Sequence, residues 1–298
     1  MRENTGDIAA LQAGLKMRKP SKHGLRLYTA PPEFDSVSLA DFYKGRSAFL
    51  VLSGPSLAQM DLSALSRRGI VSMGVNNSWS VHRPTLWTCV DDPGRFIDTG
   101  WKDPGILKFV PVCHWNRQLR VQATSGEMKP SAFRVRQMPS VFFYRRNDHF
   151  DPARFLKSDT VNWGQSGDNP DALGIKGKRS VMLAALRLLH YLGFSTVYLV
   201  GADFRMSPEH RYAFDEDRTA QAINHNNQLY RALDQRFRAL KPHFEAARFR
   251  VVNCTLPHPD SGLTAFEWMK FEDAVEAASA ECAKPVTTRG WYEKETTR

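Results

Sequence analysis

Five places in the chain set small or polar side chains directly after a short apolar run. They are Ser53-Gly54-Pro55-Ser56, Asn76-Asn77, Asp91-Asp92, Cys113-His114-Trp115 and Gly201-Ala202-Asp203-Phe204. If those runs are parallel strands, these residues lie beyond their carboxyl ends, where open sheets bind ligands. Gly54 permits a sharp turn and Pro55 stiffens it, and the amides that follow suit an anion such as phosphate. The loop is neither a GKS/GKT phosphate loop nor a GxGxxG fingerprint; an ordinary strand-to-helix turn is the alternative. Lys178-Arg179-Ser180 open the strongest helical pattern and offer a second anion site. A solvated basic helix start is the alternative there, although cations at that end oppose the helix dipole. Asp91-Asp92, within Val-Asp-Asp-Pro-Gly, is not a DxD motif and has no carboxylate cluster nearby. Hydrogen bonding to a ribose or sugar, or a plain turn, is expected there ahead of a metal ion. His225, within Ile223–Asn227, has the chemistry of a general base acting on a hydroxyl.

The elements that must hold these residues are short runs, most of them rich in β-branched or aromatic residues. The clearest are Ala48–Leu52, Ile70–Val75, Thr85–Val90, Ile106–Pro111, Val141–Tyr144, Thr196–Val200 and Phe249–Val252. Apolar on both faces, they read as buried strands of a parallel sheet. Ser180–Leu192 reads as a helix closed by Gly193, and Ala222–Leu240 as a second helix stopped before Pro242. The alternation predicts one doubly wound α/β domain over residues 47–273, with a mostly parallel sheet. Residues 1–46, with Pro20, Pro31 and Pro32, read as an N-terminal extension, and residues 274–298 as a polar, frayed tail.

Composition narrows the function classes. Hydrophobic residues make up 42% and charged residues 24%, which fits a globular chain and not a disordered one. No apolar run approaches the roughly 18–20 residues of a membrane span. The N-terminus lacks the continuous apolar core of a signal peptide. Cys89, Cys113, Cys254 and Cys282 lie far apart without a CxxC pair, so reduced thiols in a cytoplasmic protein are expected. The 41 Lys and Arg outnumber the 31 Asp and Glu, giving a net charge of +10 that favours a polyanionic partner.

Several of these segments, taken in order, resemble the bacterial sialyltransferases of glycosyltransferase family 42 and related bacterial and phage sugar transferases. The resemblance runs from about residue 47 to residue 268. It is carried by Gly54-Pro55-Ser56-Leu57, Asn76, Pro93, Ser180, Leu192-Gly193-Phe194, Tyr198–Phe204, Tyr212–Asp215 and His225. It implies a Rossmann-like, GT-A-like domain that takes a nucleotide sugar without a metal or other cofactor. Ser53, Gly54, Pro55, Ser56, Asn76, Asn77, Arg179, Ser180 and Asp203 would bind the donor. Tyr212 matches one of two tyrosines on the leaving phosphate. Arg205 stands where the other is expected, and its charge suits that task. Asp92 replaces an Asn before Pro. His225 matches the catalytic His, with the following Ala-Leu one residue closer, so His225 or Asp92 would deprotonate the acceptor.

Residues 116–146 carry Arg117, Arg120, Lys129, Arg134, Arg136, Arg145 and Arg146 against Glu127 alone. Phe133, Phe142, Phe143 and Tyr144 are interleaved with them. The resemblance places an acceptor-side lid here, within residues 116–170. Cations mixed with aromatics suit a phosphate backbone and an unstacked base; a solvated basic face over core aromatics is the alternative. The leading expectation is therefore a phage-type transferase that glycosylates a 5-hydroxymethylpyrimidine hydroxyl in DNA. The alternatives are a transferase acting on a surface glycan, a pterin-type pyrophosphokinase, and a non-catalytic DNA-binding protein.

Overall fold

The computed structural model describes residues 24–30, 35–96, 98–122, 126–147, 150–162, 164–165, 178–207, 212–213 and 219–282. All seven runs read as strands enter one sheet. In chain order the strands are β1 (Leu27–Tyr28), β2 (Ser36–Val37), β3 (Ser47–Val51), β4 (Ser72–Val75), β5 (Leu86–Thr88), β6 (Leu107–Pro111), β7 (Gln118–Gln122), β8 (Met128–Arg134) and β9 (Val141–Tyr144). They continue with β10 (Arg146–Asn147), β11 (Val161–Asn162), β12 (Gly164–Gln165), β13 (Lys178–Arg179), β14 (Thr196–Val200) and β15 (Arg250–Asn253). Among the described residues four α-helices accompany them: α1 (Asp98–Lys102), α2 (Val181–Tyr191), α3 (Ala220–Ala246) and α4 (Phe271–Cys282).

The main sheet has nine strands in the order β15-β14-β3-β4-β5-β6-β9-β1-β2. The first seven in that order are mutually parallel, and β1 and β2 add antiparallel at one edge. The chain leaves β3 toward β4 on one side, and β14 later arrives on the other. The crevice between β3 and β14 is therefore the point where the winding reverses. The crossovers from β3 to β4 and from β4 to β5 are built from 3-10 turns instead of the α-helices that strand–helix alternation implies.

Alternation along each strand sorts the core into two faces. Leu50, Met73, Leu86, Phe109 and Leu199 point to the face covered by α2 and α3. Phe49, Val51, Tyr198, Val200 and Val252 point to the other, where Phe271, Ala274, Val275 and Ala278 of α4 meet them. Farther along that second face, Trp79, Trp87, Phe96 and Trp101 form an aromatic cluster, with Trp79 and Trp87 stacked at 4.2 Å. Lys108 enters this layer fully buried and donates to the carbonyls of Asp103, Ile106 and Pro139. Burial lowers its pKa to about 8.

The cap signals of α2 act as read. The Ser180 side chain accepts from Met182 N, and Gly193 takes φ 91° after the last turn. A Cβ on Gly193 would also come within 2.7 Å of Asp41 Cα. Three boundaries differ from expectation. Part of the N-terminal extension belongs to the sheet, because Leu25, Leu27 and Tyr28 are buried there. Helix α3 runs through Pro242, since buried Leu240 and Phe244 hold its last turns against the core. The supposed tail begins inside α4, whose Ala274/Val275/Ala278 stripe is too small-sided to look apolar by composition. Its Glu281 carboxylate accepts from both Ser47 N and Ser47 Oγ. Among the described residues no helix is long and apolar enough to cross a membrane.

Candidate functional site

At the reversal between β3 and β14 lies a cavity of about 170 Å³. Its walls come from the ends of β3 (Leu52, Ser53, Gly54) and β4 (Val75, Asn76) and from the start of α2 (Ser180, Val181, Met182). The loop after β14 (Gly201–Arg205), Tyr212, and Tyr230 and Leu233 of α3 complete it. Segments separated by more than a hundred residues thus meet at the position the strand-end argument marks out.

The Gly54 turn is closed from within. Gly54 N donates to Gly201 O, Ser56 N to Asp203 Oδ1 and Ser56 Oγ to Asp203 Oδ2, at 2.9, 3.2 and 2.7 Å. Leu57 N donates back to Gly54 O. A Cβ at position 54 would fall 1.8 Å from Asp203 Oδ2, so glycine is what lets the carboxylate approach. Burial raises the Asp203 pKa above its ordinary value, against the pull of the Ser56 hydrogen bonds and the Arg205 charge. The expectation that this loop offers its amides to a phosphate is therefore corrected: those of Gly54, Ser56 and Leu57 are engaged, and Pro55 has none. Ser56 is buried beneath the loop, and neither it nor Pro55 lines the cavity. Asp203 acts as a clamp joining the ends of β3 and β14.

The neighbouring walls are less self-contained. Asn76 sits at φ 51°, in the left-handed region that Asn tolerates, and its carbonyl accepts from Trp87 Nε1. Its Oδ1 is buried without a hydrogen-bond partner among the described residues. Phe204 also has a positive φ, 51°, and this backbone excursion separates the inward Asp203 from the cavity-facing Arg205. The Phe204 ring stacks on Tyr230 at 5.0 Å. Asn227 pins the following residue by accepting from Met206 N and donating to Met206 O. Arg205 is thus held from both sides, and its Nε is buried with no hydrogen-bond partner among the described residues. Ala213 N donates to Ser53 O, which fixes Tyr212 beside the β3 end.

Of the residues proposed for the donor, Ser53, Gly54, Asn76, Ser180 and Asp203 line the cavity, as do Tyr212 and Arg205. Asn77 does not, and the Arg179 side chain lies outside the described residues. Neither candidate base is present at the cavity. His225 is exposed on α3, about 140° around the helix from Tyr230 by helical geometry. Asp92 is held by the Arg117 guanidinium and by Gly94 N. Burial tends to raise the Asp92 pKa, but Arg117 and the Gly94 amide outweigh it and keep the carboxyl below its ordinary value. That makes it a weak base.

The basic insertion also differs from a free lid. Strands β7 and β8 form a hairpin, with Leu119 buried in the tryptophan cluster and Val135 just beyond β8 buried beside it. No described residue of the hairpin lines the cavity. Arg117 is taken by Asp92, Arg134 donates to Asn116 O, and Arg120 donates to Met128 O while remaining exposed. Arg136 lies over the Trp115 ring, at 5.6 Å. Arg145 is half-buried, and the Arg146 side chain lies outside the described residues. Phe142, Phe143 and Tyr144 belong to the sheet core in β9, which leaves Phe133, 45% exposed, as the aromatic on the surface.

No family model, curated protein or solved structure matches the chain. The site is thus defined by its own geometry. Tyr230, Leu233, Val181 and Met182 were not foreseen as site residues. Their one sequence signal was membership of the apolar stripes of α2 and α3, which reads as core.

Proposed function

We propose that the protein is a nucleotide-sugar-dependent glycosyltransferase of Rossmann-like, GT-A-like build whose donor occupies the cavity between β3 and β14. One observation carries this reading. Asn76, Ser180, Asp203 and Tyr212, drawn from separate parts of the chain by their resemblance to sialyltransferase motifs, line a single cavity at the reversal of the sheet together with Arg205, which stands where those motifs have a tyrosine. Arg205 and Tyr212 are the groups we assign to the departing phosphate, where developing negative charge rewards fixed donors most. The Asp203 clamp holds the β3 loop in place for that task. With His225 turned outward and Asp92 tied to Arg117, the catalysis we assign lies in stabilising the leaving group. No metal or other cofactor enters this scheme.

The acceptor we propose is a 5-hydroxymethylpyrimidine hydroxyl in DNA. Its support is the net charge of +10, together with the exposed cations Arg120, Lys129 and Arg136. Purified protein is incubated with a panel of nucleotide sugars and either hydroxymethylated DNA or oligosaccharides, and the digested products are weighed by mass spectrometry. A hexose- or sialic-acid-sized mass gain on the nucleoside supports both halves. A gain on the oligosaccharide alone keeps the transferase and removes the DNA acceptor. If no product forms and no nucleotide raises the melting temperature, the transferase reading fails.

A further inference from the structure

Most hydrogen-bond acceptors in the cavity wall are already engaged. Ser53 O accepts from Ala213 N, Gly54 O from Leu57 N and Gly201 O from Gly54 N. Asn76 O takes Trp87 Nε1, Asp203 O takes Ser261 Oγ and Phe204 O takes Gly262 N. The side chains repeat the pattern, since both Asp203 oxygens hold Ser56 and Ser180 Oγ holds Met182 N. Asn76 Oδ1 is sealed within the protein, so its carboxamide can meet a ligand only through Nδ2, as a donor. Ser53 Oγ, half-buried at the end of β3, makes no hydrogen bond among the described residues. The rest of the lining is largely apolar, with Leu52, Val75, Val181, Met182 and Leu233 at its centre. At roughly 30 Å³ per water, the 170 Å³ cavity has room for about six water molecules. Sites that enclose a drug-sized ligand run to about 300–1,000 Å³.

We propose that the cavity is a nucleobase subsite: of the donor, the base alone enters, and the sugar lies outside. This rests on the transferase reading and deepens it by fixing which end of the donor goes in. A base is flat and apolar on both faces, which suits the aliphatic walls and the polarisable Met182 sulfur. Its ring nitrogens and carbonyl oxygens are acceptors, which suits the Ser53 hydroxyl and Asn76 Nδ2. A sugar ring makes the opposite demand. Each hydroxyl brings a proton that needs an acceptor once buried, and the Ser53 oxygen cannot serve several of them. The orientation also suits the reaction, because a polymer acceptor can reach a sugar held toward solvent and cannot enter so small a cavity.

The test is calorimetric titration of the full chain with cytidine, uridine, adenosine and guanosine, and separately with glucose. At least one nucleoside should bind, and glucose should not. Ser53→Ala should weaken nucleoside binding about 2- to 10-fold, the worth of one hydrogen bond. Val181→Phe, which adds a ring to the apolar wall, should weaken it by about 10-fold or more. Circular dichroism melts without ligand check that both variants fold, and Ser53→Ala decides alone if Val181→Phe does not. Nucleoside binding with this pattern in a protein that transfers no sugar keeps the subsite and removes the transferase. Glucose binding that either substitution weakens, or nucleoside binding indifferent to both, overturns the subsite and leaves the transferase to the product assay. Wild type that binds no nucleoside overturns it as well, whether or not sugar is transferred.

Discussion

The Asp203 clamp can be tested quantitatively, because its two hydrogen bonds and its burial act in opposite directions. Replacing Asp203 by Ala leaves Ser56 N and Ser56 Oγ without acceptors in a position only 6% exposed. At about 1–3 kcal/mol for each of the two stranded buried groups, the loss is about 2–6 kcal/mol. For a chain of this size that lowers the melting temperature by roughly 3–10 °C. Asp203→Asn keeps an oxygen for Ser56 N and lets the Ser56 hydroxyl turn to accept from the new amide. It also removes a charge that burial disfavours, so its cost at neutral pH should be within about 1 kcal/mol of zero. The pH dependence fixes the sign. Burial raises the Asp203 pKa above 3.8, so its stabilisation is fully present below that value and declines as pH rises through the folded-state pKa. Urea denaturation followed by circular dichroism, from about pH 4 to pH 7, should show wild type losing ground to Asp203→Asn as pH rises. A constant gap between the two across that range would refute the desolvated carboxylate. A loss below about 1 kcal/mol for Asp203→Ala would refute the clamp.

Further predictions concern the surrounding frame. Asp234, on α3, accepts from Thr264 N, Thr264 Oγ1, Ala265 N and the Arg238 side chain. Asp234→Ala should cost about 2–4 kcal/mol in urea melts. These bonds outweigh the opposing effect of burial and hold its pKa below 3.8, so the wild-type advantage should fade as pH drops through that lowered pKa. Ser180→Ala removes the cap of α2 and should cost about 1 kcal/mol by the same assay. Lys108 titrates near 8 when folded against 10.5 unfolded, so wild type should gain stability relative to Lys108→Met as pH rises between those values. If DNA is the acceptor, replacing Arg120, Lys129 and Arg136 together by Gln should reduce the slope of log K against log salt by about 2.7. Replacing Arg117 and Arg134, which are engaged within the fold, should change it far less.

The strands were legible because buried parallel strands are apolar on both faces, and seven such runs stand out against polar loops. Helix α2 was legible because a Ser cap and a terminal Gly bracket its apolar face. Strands β1 and β2 were not, since two residues give no period; β1 is placed by pairing with β9, over a hundred residues away, and β2 by pairing with β1. Helix α3 outran Pro242 because Phe244 has a core to reach, which a local helix-breaker rule does not register. The strand ends converge on one cavity, but residue type alone did not separate roles. Asp203 looked like a ligand contact and is a brace, Asp92 looked like a base and is an ion-pair partner, and Tyr230 looked like core and faces the cavity. Each of these depends on a neighbour distant in sequence: Ser56 for Asp203, Arg117 for Asp92 and Phe204 for Tyr230.

The central position of β3 has a consequence for how the chain is made. Its partner β4 follows after about twenty residues, so β3 through β9 can pair while the rest is still being synthesised. Its other partner, β14, is almost 150 residues downstream, and the carboxylate that takes Ser47 N comes from Glu281. Contacts of such separation carry a large loop-closure entropy and form late. One edge of β3, with its row of open amides and carbonyls, therefore waits through most of translation, which makes it the segment most in need of chaperone cover. The cavity shares that schedule: its two principal walls meet only when β14 docks.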